Sequence, residues 1–234
     1  MDHGSMAQTF ANDYRDLFRA ERGGLRPELP HFGQDLPVTG LSAEDRASLE
    51  ANIMVEELTV ALAHLNPRKT PGPNGFPPEY WHLVWQQAGQ TMLEIIQEAL
   101  EMGKLPRDLQ NADIVVPPKP GTAGQVFEDF QPISLPYTEV KVWVMVLANR
   151  LGKIIEHLVH PDQSGFMLAR ATRHNLRQVH NAIALSESVG ERRALLSIDF
   201  QKAFDSVDWA NMFALLEQIG CGPRFLRSCT PSQS

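Results

Sequence analysis

The stretch LLSIDFQKAFDSVDW, residues 195–209, places three aspartates, Asp199, Asp205 and Asp208, in a run that otherwise resembles a buried strand followed by a helix. Its pattern predicts a strand over residues 194–200, in which successive side chains point to opposite faces. Asp199 then lies near the end of that strand, on the face opposite Ile198 and Phe200. Taken alone, the stretch leaves two interpretations open. Asp199 either caps or turns the chain before the next helix, or its carboxylate binds a ligand.

The elements that would position Asp199 are mostly helices. Apolar residues at helical spacing, together with start and stop residues, predict helices near 42–65, 88–102, 138–160, 175–188 and 208–219, and a short one within 10–20. Strands are predicted near 112–116 and 194–200. Proline and glycine divide these elements, above all in NPRKTPGPNGFPPEYW and PPKPGTAGQVFEDFQP, which we expect to be loops. The pattern therefore predicts a helix-rich α+β fold.

Charge is distributed unevenly along the chain, whose formal net charge is −7. Residues 1–60 hold 5 Lys and Arg against 11 Asp and Glu, whereas residues 141–193 hold 8 against 4. An evenly acidic protein is not expected to bind nucleic acid. The basic balance of 141–193 instead predicts either a solvated helix face or a surface that contacts phosphate groups.

Length and composition exclude several classes of protein. The 234 residues are 43% hydrophobic, enough for one large domain or two small ones. Cys221 and Cys229 are too few for a disulfide framework and lack zinc-site spacing, so we expect free thiols. We find no signal peptide or membrane span, and therefore expect an intracellular protein that is not secreted and has no membrane partner. The sequence does not distinguish nucleus from cytoplasm, nor does it predict an oligomeric state.

Four stretches carry a family resemblance through their order and spacing. They are KTPGPNGFPPEYW at 69–81, IVVPPKPG followed by FEDFQPISLPYTEVKVWVMVLANRL within 114–151, HPDQSGFMLARATRHN at 160–175, and SIDFQKAFDSVDW at 197–209. Each stretch alone is a weak signal. In this order the chain resembles the reverse transcriptases of LINE-type (non-LTR) retrotransposons, with similarity from about Phe10 to Arg227.

The resemblance implies a partial right-hand polymerase, with fingers and an incomplete palm. Residues 1–60 would form an N-terminal extension and the first helix of the lead-in, and residues 61–234 a partial reverse transcriptase domain. Within that domain the fingers would cover about 61–190, and the palm would start at about 191. The implied activity is RNA-directed DNA polymerisation, with an RNA template, a DNA primer and deoxynucleotides as partners.

The resemblance also assigns roles in the catalytic site. Asp199, with the main-chain carbonyl of Phe200, would hold catalytic Mg²⁺, because paired hard cations need clamped oxygen ligands. Phe204 would crowd the 2′-position of the incoming nucleotide, although the residue alone could equally be a core aromatic. Lys119 and Gln131 would contact the nucleotide phosphates, although Lys119 read alone is an ordinary exposed loop lysine.

A second set of residues would contact nucleic acid. These side chains are basic or polar and lie in or beside the four stretches: Arg68, Lys69, Arg150, Lys153, Gln163, Arg170 and Arg173. We expect them to act mainly through phosphate groups, which are recognised by charge without regard to base sequence.

Departures from the family pattern bear on activity. Gln131 stands where the family has an arginine, Asn74 where it has an aspartate, and Met167 where it has an arginine. The chain also has no adjacent Asp-Asp pair, which the family uses for its remaining metal ligands. We therefore expect a polymerase truncated before that motif, inactive alone, with Mg²⁺ bound weakly or not at all. The alternative is a non-catalytic remnant that binds RNA or a partner.

Overall fold

The computed structural model describes residues 8–12, 15, 40–124, 126, 129–167, 170–190, 194–200, 203–204 and 207–229. These ranges hold helices α1 (Ala43–Glu50), α2 (Val55–His64), α3 (Pro78–Met102), α4 (Thr138–Leu158), α5 (Arg173–Val189), α6 (Trp209–Ile219) and α7 (Pro223–Cys229). A 3-10 turn covers Arg107–Gln110, and strands β1 (Ala112–Val115) and β2 (Ile133–Pro136) form one antiparallel pair. Residues 8–12 are also helical. None of the helices within these ranges has the length and hydropathy needed to cross a membrane. The helix-rich α+β prediction is confirmed.

Helix α2 lies at the centre of the hydrophobic core and packs on α3 and α4. Its apolar residues Leu58, Ala61 and Leu62 recur at spacings of three and four, which places them on one face, and all three are buried. The same buried cluster includes residues of α3 and α4: Met92, Leu93, Ile96, Ala99, Val142, Trp143, Val146, Leu147 and Ile154. Leu49 and Ile53 belong to the same cluster. Residues on both sides of the predicted domain boundary at residue 60 therefore share one hydrophobic core.

The prediction of one helix over 42–65 is wrong, because the chain breaks between α1 and α2. The predicted start is confirmed, since the Ser42 hydroxyl accepts the Asp45 N–H at 3.0 Å. At the break, Ala51 is extended, and a second helix start follows at Met54. There the Met54 N–H donates to Glu57 Oε2 at 3.1 Å, which fixes the entry into α2.

The break is held by Arg150, which reaches it from α4 and is only 8% exposed. Its guanidinium donates to the main-chain carbonyls of Leu49 (3.2 Å), Ala51 (2.7 Å) and Asn52 (2.9 Å). It also donates to both Glu57 oxygens, at 2.7 and 2.6 Å. These five bonds match the five N–H donors of a guanidinium. In the described structure the donors of Arg150 are therefore committed inside the fold, and its assignment to phosphate contact stays a prediction that this conformation does not support.

Helix α3 begins at Pro78, ten residues earlier than the predicted start near residue 88 and inside the stretch that was expected to be a loop. Proline is well suited to the first position of a helix, where its missing N–H would have no partner. The proline run therefore marks where α3 begins and does not extend through Trp81 as a loop. The predicted end is confirmed, since Gly103 takes the left-handed conformation (φ 65°) that closes many helices.

Strand β2 follows the predicted loop, in residues to which the pattern assigned no element, and it pairs with the predicted strand β1 in the register Ala112–Pro136 to Val115–Ile133. The ladder extends through an isolated bridge between Pro118 and Phe130, so the two chains stay side by side beyond the strands. With the hydrogen bond from the Lys119 N–H to the Asp129 carbonyl, these segments form one extended hairpin, called the hairpin below, over residues 112–119 and 129–136.

The prediction of a strand over residues 194–200 is wrong. This segment has no strand assignment and all seven of its residues are exposed, with Ile198 at 73%. A strand is stabilised by hydrogen bonds to a neighbour. Within the described residues the ladder is formed by β1 and β2, and no segment pairs with 194–200. Alternating side chains therefore do not make a strand here.

The C-terminal helices return to the core through α7. Both main-chain N–H groups of Arg224 and Phe225 donate to the Glu50 carboxylate, at 3.2 and 2.8 Å, which ties the start of α7 to the end of α1. The Phe225 side chain is buried in the core. Helix α6, close to the predicted 208–219, is capped by Asp208, whose carboxylate accepts the Asn211 N–H at 2.9 Å. The predicted helices at 138–160 and 175–188 are likewise confirmed as α4 and α5.

Candidate nucleotide and nucleic-acid site

The hairpin brings Lys119 and Gln131 to the same face. Gln131 N–H donates to the Pro117 carbonyl at 2.9 Å, and Lys119 N–H donates to the Asp129 carbonyl at 2.6 Å. This register makes Lys119 and Gln131 diagonal neighbours, about 7–8 Å apart and within reach of long side chains. Both residues are exposed. Two donor side chains thus share one accessible surface.

The loop TPGPNG, residues 70–75, is fixed against the start of α4. A Cβ at Gly72 would lie 2.6 Å from the Tyr137 nitrogen, so only glycine allows this approach. The Thr138 hydroxyl donates to the Phe76 carbonyl at 2.7 Å, and the Lys141 ammonium donates to the Thr70 carbonyl at 3.3 Å. The loop is therefore positioned by hydrogen bonds from side chains of α4 to main-chain carbonyls in and beside it.

The contacts of Asn74 give a structural reason for an asparagine where the family has an aspartate. Its amide donates to Glu139 Oε1 at 2.9 Å, and its own carbonyl oxygen accepts the Phe76 N–H at 3.1 Å. Burial raises the pKa of Glu139, although its own N–H and the Asn74 amide act in the opposite direction. An aspartate at this position would oppose Glu139 with a second negative charge. The asparagine instead supplies the donor that this half-buried carboxylate needs.

Arg68 and Lys69 precede this loop and are exposed. The Arg68 N–H donates to Glu79 Oε1 at 2.6 Å, and its φ of 59° turns the chain sharply. This bond is the first cause that lowers the pKa of Glu79. The backbone at Arg68 is therefore structural, while the two basic side chains remain at the surface.

Arg170 closes the end of α4. Its guanidinium donates to the carbonyls of Glu156 (2.7 Å), Val159 (3.1 Å), His160 (2.5 Å) and Gln163 (3.0 Å). Helix C-terminal carbonyls lack intrahelical partners, and an arginine can satisfy them. The two terminal nitrogens of Arg170 are bound to the main chain, so its assignment to phosphate contact stays a prediction that the described conformation does not support.

Lys153, Gln163 and Arg173 keep exposed side chains. The Gln163 amide donates only to the nearby Gly165 carbonyl at 3.3 Å. Lys153 lies on α4 near Glu57, and Arg173 begins α5. These three residues stay predictions as nucleic-acid contacts.

Sequence analysis did not single out Phe166, although it follows the Gln163–Gly165 segment. Phe166 is 94% exposed and has a φ of 61°, a region that bulky residues seldom adopt. Its ring stands edge-to-face with Phe204 at a centroid distance of 6.1 Å, and Phe204 is 79% exposed. Phe204 is therefore not a core aromatic in the described structure. Phe166 is distinguished by its exposure, its backbone conformation and its contact with Phe204, all of which are features of the folded structure.

Residues 117–233 match the family described as reverse transcriptase (RNA-dependent DNA polymerase). The match covers half of the chain, from the hairpin through α7. The chain belongs to the reverse transcriptase family.

Retrotransposon proteins are among the relatives of this reverse transcriptase chain. It is 29% identical over 191 residues to the transposon TX1 uncharacterized 149 kDa protein of Xenopus laevis, which covers 82% of the chain and 14% of that protein. It is 28% identical to the Pol polyprotein from the type-2 retrotransposable element R2DM of Drosophila melanogaster, over 74% of the chain and 16% of the relative. The probable RNA-directed DNA polymerase from transposon BS of the same fly is 29% identical, over 74% and 19% respectively.

The chain thus spans less than a fifth of the length of each of these relatives. The resemblance to non-LTR retrotransposon reverse transcriptases is confirmed, and so is the prediction that the chain is part of such a polymerase.

Reverse transcriptases generally use divalent metal ions. Asp199 and Phe200, which the resemblance assigned to metal binding, lie in the exposed segment 194–200, and Phe200 is 77% exposed. Within the described part of the chain, no group of three or more His, Cys, Asp or Glu side chains is placed to hold a metal ion. One carboxylate and one carbonyl do not make the near-octahedral oxygen site that Mg²⁺ demands. The described residues do not fit a two-ion site.

Proposed function

We propose that this chain supplies the fingers and the first palm motif of a retrotransposon RNA-directed DNA polymerase. Residues 61–190 act as fingers, residues 191–234 begin the palm, and residues 1–60 form the lead-in. The observation that carries the proposal is the family match over 117–233, which includes the hairpin with Lys119 and Gln131 on one face. RNA template, DNA primer and deoxynucleotides are its proposed partners.

The hairpin face is the proposed contact for the nucleotide triphosphate. Lys119 provides a mobile ammonium, and Gln131 provides an amide donor without the fork geometry or charge of an arginine. The face therefore attracts phosphate through one positive charge, and Gln131 weakens that attraction relative to the family pattern.

Phe166 and Phe204 are proposed to offer ring faces to an unpaired base. Single-stranded nucleic acid is commonly held by stacking on aromatic side chains, at about 1–3 kcal/mol per base. Arg173 and Lys153 add positive charge without base preference. In this proposal the chain holds template and nucleotide, while the chemical step requires carboxylates beyond Asp199.

Nucleotide binding to the purified 234-residue chain tests the hairpin assignment. Titration of a deoxynucleoside triphosphate, followed by NMR of the ¹⁵N-labelled chain, should shift the backbone signals of residues 117–119 and 129–131. Lys119→Ala should weaken this binding by roughly tenfold, the effect of one charge-assisted hydrogen bond. Lys104→Ala removes an exposed lysine outside the hairpin and serves as the matched control.

A primer-extension assay completes the test. We expect the chain alone to incorporate no deoxynucleotide at any magnesium or manganese concentration, because both reacting oxygens must be positioned by ions. Template-dependent incorporation that is lost in Asp199→Ala would contradict this part of the proposal. Binding that is equally strong in Lys119→Ala and Lys104→Ala would refute the hairpin contact.

A further inference from the structure

A cavity of about 400 Å³ lies between α3, the 3-10 turn at Arg107–Gln110 and the start of α4. Its wall is mostly apolar and includes Met92, Ile95, Ile96, Leu105, Leu109 and Val140. This volume falls within the range of small-molecule sites, about 300–1,000 Å³. None of the residues assigned above to nucleotide or nucleic acid lines it. The cavity is therefore separate from the proposed polymerase contacts.

The ionisable residues that line the cavity all carry negative charge. They are Glu98, Asp108 and Glu139, and the lining includes no lysine, arginine or histidine. Like charges around an apolar space repel an anion and attract a cation. The charge pattern thus selects a positively charged occupant.

Three side chains of the wall carry buried polar atoms that have no hydrogen-bond partner among the described residues. They are Trp81 Nε1, Trp143 Nε1 and Glu139 Oε2. Trp143 is only 2% exposed, so its indole N–H has no access to bulk water. Buried polar atoms in native proteins are nearly always paired, and each exception calls for an explanation. Glu139 Oε2 is an acceptor and calls for a donor, whereas the two indole N–H groups are donors that a cation does not satisfy.

Glu139 is a half-buried carboxyl of the cavity wall, and only one of its two oxygens is hydrogen-bonded within the described residues. Its Oε1 accepts the Asn74 amide at 2.9 Å, but its Oε2 has no hydrogen-bond partner within the part of the chain that the structure describes. Burial raises the pKa of this carboxyl, which means that its negative charge is poorly stabilised in the described structure. A cation beside it would supply the missing stabilisation.

We propose that this cavity binds a small organic cation, namely a protonated amine on an apolar body. The ammonium group donates to the Glu139 carboxylate, and the apolar body packs against Met92 and Ile96. The indole rings of Trp81 and Trp143 line the same space, and aromatic faces attract cations. This binding does not depend on the proposed polymerase function.

The test compares three compounds that share one apolar body: 4-phenylbutylamine, 4-phenylbutan-1-ol and 4-phenylbutanoate. Each is titrated into the ¹⁵N-labelled 234-residue chain while the tryptophan indole N–H signals are followed. We expect the amine to shift the Trp81 and Trp143 signals with an affinity at least about tenfold above that of the alcohol, as a charge-assisted bond implies. The carboxylate should bind more weakly than the alcohol. Trp209, 60% exposed and outside the cavity, is the internal control.

Glu139→Gln keeps a carbonyl oxygen for the Asn74 amide, removes the charge and replaces the other oxygen by an NH2 group. This variant should bind the amine and the alcohol within about twofold of each other. Glu94→Gln makes the same change at an exposed position of α3 outside the cavity and should keep the wild-type preference. The proposal is overturned if the wild-type chain binds amine and alcohol equally, if Glu139→Gln keeps the preference, or if millimolar amine leaves both indole signals unmoved. The wild-type comparison decides the matter even if a variant fails to fold.

Discussion

Two arginines show how differently the two halves of this chain use the same side chain. Arg150 of α4 is buried, and its five N–H donors form hydrogen bonds at the break between α1 and α2. Arg173, at the start of α5, is exposed. The difference extends to whole helices. Helices α2, α3 and α4 bury their apolar faces in the core, while α5 and α6 contain no buried residue.

This comparison separates residues 41–160, called the packed half, from residues 170–219, called the open half. Both have amphipathic helices, and the open half exposes Leu176, Ile183, Trp209 and Leu215. Amphipathic spacing predicts a helix and the face that would be buried, but burial requires a second surface. Stability should therefore depend on the packed half, and nucleic-acid affinity on the open half.

The largest expected effect is the loss of Arg150. Arg150→Ala leaves Glu57 without its cation and three carbonyls without donors, and breaking a buried pair costs about 3–5 kcal/mol. Because Glu57 is a third exposed, we expect the lower end of this range. Urea denaturation measures the free energy of unfolding. Arg173→Ala should change it by less than about 0.5 kcal/mol, and equal losses in the two variants would abolish the distinction between the halves.

Leucine and isoleucine truncations make the same comparison without charge. Leu62→Ala in the packed half should cost about 2–5 kcal/mol, because a fully buried side chain leaves a cavity. Ile198→Ala in the open half should cost less than about 0.5 kcal/mol, since the side chain is already in water. A large cost at Ile198 would mean that residues 194–200 pair or pack in solution.

The packed half also contains two carboxyls whose pKa values shift in opposite directions. Burial alone would raise the pKa of Glu57, but hydrogen bonds from Arg150 and Met54 and the charges of Arg150 and Lys153 lower it overall. Its contribution to stability is therefore present at neutral pH and is lost as pH falls through the folded value. The raised pKa of Glu139 has the reverse effect, because its contribution is present at low pH and is lost as pH rises.

Glu139→Gln tests the direction in which Glu139 makes the stability of the fold depend on pH. The variant should have a higher thermal midpoint than wild type at pH 7, since an unfavourable buried charge is removed while the Asn74 contact is kept. The advantage should shrink toward pH 4, below the ordinary carboxyl value of 4.5, where wild-type Glu139 is protonated in both states. Glu187→Gln, at an exposed position of α5, is the matched control in the open half and should leave the midpoint unchanged. A lower midpoint for Glu139→Gln at pH 7 would reverse our assignment.

RNA affinity should respond to the open half. Arg173→Ala is expected to weaken binding about equally for any RNA sequence and to lower the salt slope by roughly 1, the signature of one phosphate contact. Filter binding over a series of salt concentrations measures both. Lys104→Ala, with the same change of charge in the packed half, should leave the slope unchanged. If the two variants behave alike, net charge and not position controls the affinity.

The smallest expected effect concerns Asp199. We expect Mg²⁺ to bind the chain only weakly, in about the millimolar range, because a hydrated ion gains little from a single carboxylate. Calorimetric titration should detect little difference between wild type and Asp199→Asn. A tight site that disappears in Asp199→Asn would show that further ligands gather around this residue.

Local pattern predicted the helices well and the strand at 194–200 badly. The predicted helices at 138–160, 175–188 and 208–219 are present, because a helix satisfies its backbone hydrogen bonds within its own sequence. Strand β1 was predicted and is present, but it exists with a partner, β2, that the pattern did not reveal. Residues 194–200 have the alternation without the partner, so the same argument failed there.

The candidate site divides in the same way. Sequence motifs identified Lys119 and Gln131, but only the hairpin register set them on one face. Charge alone predicted phosphate contacts for Arg150 and Arg170, and it could not show that neighbouring carbonyls already use their donors. Phe166 carried no signal beyond its residue type until its exposure and its contact with Phe204 were known.

The sequence by itself determined the family and most of the helices of this chain. Motif order is a property of the chain alone, and helical periodicity depends on residues three and four positions apart. Tertiary structure decided which arginines remain available and where the long first helix breaks. It also placed Glu139 beside a cavity with two indole N–H groups that have no partner among the described residues. These outcomes depend on residues distant in sequence, such as Arg150 and Glu57 or Asn74 and Glu139, whose contacts form only when the helices pack.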